Sequence, residues 1–140
     1  MTRSPSTTDA DNRWPDELAE LLASTGTPRP VLNSGIGGNM LLHDSAWLAH
    51  AKGIEVIGAT LLPMKGAEYY NAESAAKIRE FNDWIRTSGE FDAVVDFNRA
   101  LADPADPERL LPAFDSGDHK HPNDAGYREM AQAMTRIPLT

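Results

Sequence analysis

Apolar positions along the chain fall into two periods, and their alternation sets the first expectations. Residues 1–13 are polar, rich in Ser, Thr and Asp, and lack any apolar period, so they read as a flexible arm. Trp14-Pro15 opens a stretch in which Leu18, Leu21 and Leu22 share one helical face, and Gly26 and Pro28 close it, predicting a helix to about Ser24. Val31-Leu32-Asn33 predicts a short strand that runs into a glycine-rich loop. Asp44 is placed to cap a short helix over 45–52, ended by Gly53. Residues 55–62 form a nearly unbroken apolar run, as expected of a strand covered on both faces. Asn71 predicts the cap of a long helix to about Thr87, with Ile78, Phe81 and Ile85 on one stripe, and Gly89 stops it. A further strand is predicted over 93–97. Pro104, Pro107 and Pro112 mark a loop region, and the acidic run 103–108 reads as a solvated loop within it. The last helix follows Pro122, with Tyr127, Met130, Ala131 and Met134 facing inward. Trp14, Trp47, Trp84, Met130 and Met134 fall at helical spacing and read as core or interface anchors.

Strands alternating with helices imply a parallel sheet with helices on both faces. There is no internal repeat and no linker, so residues 14–140 read as a single domain behind the arm. A hydrophobic content of 41% is enough for one core. The formal net charge of −8 argues against nucleic-acid binding and against an anionic membrane surface. With no cysteine there is neither a disulfide framework nor a thiolate nucleophile. The sequence begins without an apolar run and contains no segment of membrane-spanning length, so a cytoplasmic protein is expected as written, unless a secretion signal has been lost.

The chemistry concentrates in Asp115-Ser116-Gly117-Asp118-His119-Lys120-His121-Pro122-Asn123-Asp124. Asp118 and His121 lie three apart ahead of a helix start, a spacing that a tight turn can close into a base with its orienting carboxylate. A different chemistry is also open. His119 and His121 are two apart and point the same way in an extended segment, and Asp118, Asp124, His43 and Asp44 could complete a zinc site that activates water. A nucleophilic serine is harder to assign. Ser4, Ser6, Ser34, Ser45 and Ser116 are available, and each reads more simply as a turn or cap residue.

Asp118-x-x-His121-Pro122 resembles the last block of the SGNH (GDSL-type) hydrolase superfamily. Val31-Leu-Asn33-Ser34-Gly35-Ile36-Gly37-Gly38-Asn39 resembles its second block, and 54–60, 91–97 and 110–127 are also similar. The resemblance implies an esterase-type hydrolase with Asp118 and His121 as orienter and base. It also implies an oxyanion site at Gly38 and Asn39, a small ester-like substrate and no cofactor. The family's Gly-Asp-Ser and Gly-x-Asn-Asp blocks are absent, so the chain resembles a shortened member. The fold implied is a reduced flavodoxin-like α/β/α arrangement with about three parallel strands, at 30–34, 55–62 and 93–97. The missing strands are the central ones, and the exposed edges predict completion by a second copy in a homo-oligomer. Three readings therefore stand: a hydrolase using the Asp118–His121 dyad, a zinc-dependent hydrolase using His119, His121, Asp118 and His43, and an inactive remnant that only oligomerises.

Overall fold

The structure, a computed structural model, describes residues 14–31 and 49–137. Helix α1 spans Trp14–Ser24 and strand β1 Ile57–Ala59. Helix α2 covers Ala72–Thr87, strand β2 Ala93–Val95 and the short helix α3 Phe97–Leu101. Strands β3 (Ala102–Asp103) and β4 (Asp106–Leu110) precede the final helix α4, Asp124–Thr135. The arm expected over 1–13, most of the strand at 30–34, Trp47 and most of the helix at 45–52 lie outside the described residues.

β1 and β2 pair in parallel, with Ile57, Gly58 and Ala59 opposite Ala93, Val94 and Val95. α1 packs on α4, and α3 also packs on α4. Their shared core takes Leu18 and Leu22 from α1, Val95 from β2 and Phe97 and Leu101 from α3. Leu110 of β4 and Tyr127, Met130, Ala131, Ala133 and Met134 of α4 complete it. Trp14 closes one end of this core against the Phe97 ring at 6.0 Å. The inward face expected of the last helix is thus the one that is buried. α2 contacts β1 and contributes none of its residues to that core, so helices lie on both sides of the parallel pair. This is the reduced three-layer α/β/α fold.

Helix ends follow their local chemistry. Asn71 Oδ1 accepts from the backbone of Glu73 and Ser74 at 2.9 and 3.0 Å, and the Ser74 hydroxyl accepts from the Asn71 N–H in return. Asn123 Oδ1 likewise accepts from Gly126 N at 3.0 Å to start α4. A Cβ at Gly126 would sit 2.7 Å from the Pro122 ring and 2.9 Å from the Phe114 carbonyl, so the first turn of α4 seats on its own entry loop only with glycine there.

Three expectations need correction. The strand expected over 55–62 is confined to Ile57–Ala59. The strand over 93–97 ends at Val95, because Asp96 caps α3 by accepting from Arg99 N. The acidic segment 103–108 is not a solvated loop. It forms the β3–β4 antiparallel hairpin, in which Asp103 is buried on Arg109 at 2.5 Å and Asp106 takes Lys65 at 2.7 Å. Prolines suggested a loop, yet Pro107 sits in a two-stranded edge ribbon that can spare its N–H. On α2 the fully buried polar residue is Asn82, between the half-buried Ile78 and Phe81 and the buried Ile85. Its amide accepts from Leu61 N at 2.7 Å and donates to Leu61 O at 3.0 Å, satisfying both of its polar ends beyond β1.

Candidate active site

The segment 111–123 runs from β4 to α4 and is tied at both ends. Leu111 N donates to Leu101 O, Asn123 N donates to Phe114 O, and Asp115 bridges Pro122. Within it two carboxylate–imidazole pairs form by one construction. Asp118 Oδ1 accepts the backbone N–H groups of Lys120 and His121 at 3.0 and 2.8 Å, and Oδ2 meets His121 Nδ1 at 2.5 Å. Asp115 Oδ1 accepts Gly117 N and His119 N at 2.8 and 3.1 Å, and Oδ2 meets His119 Nδ1 at 2.6 Å.

Burial disfavours ionisation of Asp118, but the His121 imidazole and the backbone N–H groups of His121 and Lys120 outweigh it. They hold the carboxyl far below the usual carboxylate range. Asp115 is likewise held low, its burial opposed by Gly117 N and by the side chain and backbone of His119. An ionised carboxylate only accepts hydrogen bonds, so each Nδ1 must carry the proton. In the neutral ring that leaves Nε2 with a lone pair, the atom a general base needs. The side chains of His121 and His119 are 38% and 47% exposed, so both rings are open to a substrate.

Asp118 and His121 are therefore brought together as the spacing suggested. The Asp115–His119 pair was not expected as a pair, although the i, i+4 spacing in a glycine-containing turn is visible in the sequence. Ser116, the described candidate serine, directs its hydroxyl to Asp118 Oδ1 at 3.1 Å. Gly38, Asn39, His43, Asp44 and the serines at 4, 6, 34 and 45 lie outside the described residues, so the oxyanion loop and part of the zinc set do too. Among the described residues no group of three or more His, Asp or Glu side chains is arranged to hold a metal ion.

The loop leaving the carboxyl end of β1 joins this site to a cavity, the end of a parallel sheet where ligands bind in such folds. The cavity, about 280 Å³, is lined by Pro63 and Met64, by Tyr70, Ile78 and Arg86, and by Glu108 among others. Burial and the nearby Glu108 carboxylate raise the Tyr70 phenol. Its buried oxygen has no hydrogen-bond partner among the described residues. Lys65 N donates to Glu108 O, fixing the loop to β4, and Arg79 pairs with the Glu108 carboxylate. Gly66, at φ 102°, places its backbone where an added Cβ would be 3.1 Å from the His119 ring. The cavity wall at Met64 and the imidazole at Gly66 are thus two residues apart along one short loop.

Beneath the cavity lies a polar network that sequence inspection missed. Arg86 grips Asp96 through Nε at 2.8 Å and Nη2 at 3.1 Å, and Thr60 donates to Asp96 Oδ1 while accepting from Asn98 N. Burial opposes the Asp96 charge, but Arg86 and the Arg99 N–H prevail and keep its carboxyl low.

The comparisons with known proteins agree with this architecture. The chain matches the GDSL-like Lipase/Acylhydrolase family over residues 42–129, and it belongs to that family. The matched segment includes Asp118 and His121 and begins after Gly38 and Asn39. A solved G-D-S-L family protein from Desulfitobacterium hafniense DCB-2 shares the fold, with a TM-score of 0.51 and 24% identity. The alignment covers 65% of this chain and 48% of that one, so the chain spans about half the length of its structural relative. No curated protein matches the chain. Among the described residues no helix is long and apolar enough to cross a membrane.

Proposed function

We propose that the protein hydrolyses small-molecule esters or similar activated bonds, with His121 as general base and Asp118 as its orienting carboxylate. The observation that carries this reading is the 2.5 Å contact of His121 Nδ1 with a carboxylate held low, which supports the tautomer that carries its lone pair on Nε2. Membership of a lipase/acylhydrolase family supports the reaction class. The attacking group is water or a serine outside the described residues. Gly38 and Asn39 remain the residues proposed to donate backbone N–H groups to the oxyanion. The reading requires no cofactor.

His121→Ala is expected to lower turnover of an activated aryl ester by about a hundredfold or more, the usual loss for a general base. Turnover equal to wild type would overturn the assignment. A serine-reactive organophosphonate and a chelator divide the routes. Covalent labelling points to serine, and loss of activity on chelation restored by Zn²⁺ points to the metal alternative. Absence of any turnover would leave a chain that folds without catalysing.

A further inference from the structure

We propose that Asp115 is the positioning residue of the site: its carboxylate clamps the backbone on both sides of Asp118 and so sets the geometry of the Asp118–His121 pair. The inference rests on the hydrolase reading above and deepens it, because it names a third side chain on which the base depends, one that does not itself touch substrate.

Three observations converge. The first is where the pair sits. The Asp118 and His121 side chains are 39% and 38% exposed, so the backbone of the turn, and not core packing, has to hold them in place. The second is the clamp. The Asp115 side chain is only 10% exposed. Its Oδ1 accepts the N–H groups of Gly117 and His119, the two chain neighbours of Asp118, and its Oδ2 meets His119 Nδ1. The clamp is itself anchored, because Asn123 at the start of α4 donates its side-chain N–H to Asp115 O, and Ser116 N donates to His121 O. The third is conformation. Gly117 and His119 have φ of 101° and 63°, so the chain is left-handed on either side of Asp118. Few residues other than glycine adopt that region, and a short exposed turn has many other shapes open to it. The Asp115 carboxylate selects this one.

The consequence follows from what a general base requires. His121 Nε2 must meet the proton it removes within about 3.2 Å, from a set direction. Without Asp115 the N–H groups of Gly117 and His119 turn to water, and Asp118 loses the bracket that aims it at His121 Nδ1. A displacement of about 1 Å at a reacting group can lower a rate by about a hundredfold. Substrate binding is a separate matter, since both Asp115 oxygens are already engaged within the turn. The loss therefore falls on kcat and not on KM. In this arrangement His119 is a strut of the clamp, its ring seated against Gly66.

The test is a cycle of variants assayed on 4-nitrophenyl acetate: Asp115→Ala, Asp118→Ala and the two together, with His121→Ala as the reference. Asp115→Ala is expected to lower kcat at least about tenfold, with KM within about twofold of wild type. Added to Asp118→Ala it should cost less than about twofold more, because no pair is left to position. Asp115→Asn should recover most of the lost kcat, since an amide oxygen accepts backbone N–H groups as a carboxylate does at helix caps. Should Asp115→Ala not fold, Asp115→Ser, which keeps one acceptor oxygen, takes its place in the cycle and the same outcomes decide. An equal fold-loss in both backgrounds would overturn the proposal in favour of general support for the fold. So would wild-type kcat in Asp115→Ala, or an Asp115→Asn no better than Asp115→Ala. Failure of the hydrolase reading is distinguishable, because then wild type shows no turnover or His121→Ala matches it, and the positioning role falls with that reading.

Discussion

At the scale of single residues the two aspartates of the turn over 115–121 carry a consequence for acid stability. Their folded carboxyls are held below the unfolded value of about 3.9, so they stabilise the fold above that pH, and the contribution fades as pH falls through the lowered folded values. Urea unfolding midpoints between pH 7 and pH 3 should therefore drop. An Asp115→Asn, Asp118→Asn double variant should start lower at pH 7 and fall less steeply. A parallel decline in both proteins would show that these carboxyls are not the source. The Asp118–His121 pair was legible in the sequence because it needs only a three-residue spacing and a turn. The Asp115–His119 pair was harder to see, since it requires His119 to enter a positive φ, which few residues other than glycine adopt. The Arg86–Asp96–Thr60 network was not legible, because its members lie on separate elements and meet only after the sheet has formed.

Among elements, the long helices were readable and the short ones were not. α1, α2 and α4 repeat an apolar face over 11, 16 and 12 residues, long enough for period and cap to agree. α3 has five residues and the hairpin strands two and five, too short for either signal. What fixes α3 is Asp96, whose charge is shared by the α3 N-terminus and by Arg86 of α2. Both side chains of that pair are about four-fifths covered, at 21% and 22% exposure. Arg86→Ala should therefore cost about 2 kcal/mol, because it leaves the covered Asp96 carboxylate with only the exposed Arg99 as its cation, at 3.3 Å. Arg86→Lys should recover only part, since it replaces a two-pronged contact with one ammonium. Chemical denaturation of the two variants measures the difference, and a loss below 0.5 kcal/mol, the range of ordinary surface changes, would show the pair to be incidental.

For the whole molecule the open question is its edge. Among the described residues β1 pairs on one side only, with β2. Completion of the sheet by a second copy remains our proposal. Light scattering at micromolar concentration is expected to give a mass above 15.3 kDa, and a monodisperse monomer of that mass would refute it. One buried side chain bears on how such a sheet keeps its alignment. Oily contacts between a helix and a strand tolerate sliding, since one methyl replaces another at little cost. The amide of Asn82 does not, because it reads a single residue, Leu61, at both its N–H and its C=O. A slip of α2 by one position would carry the amide about 100° around the helix and leave both groups of Leu61 without it. The helix is thereby indexed to the segment leaving β1 as a peg is to its hole, and the loop that departs from Leu61 toward Met64 and Gly66 starts from a fixed origin.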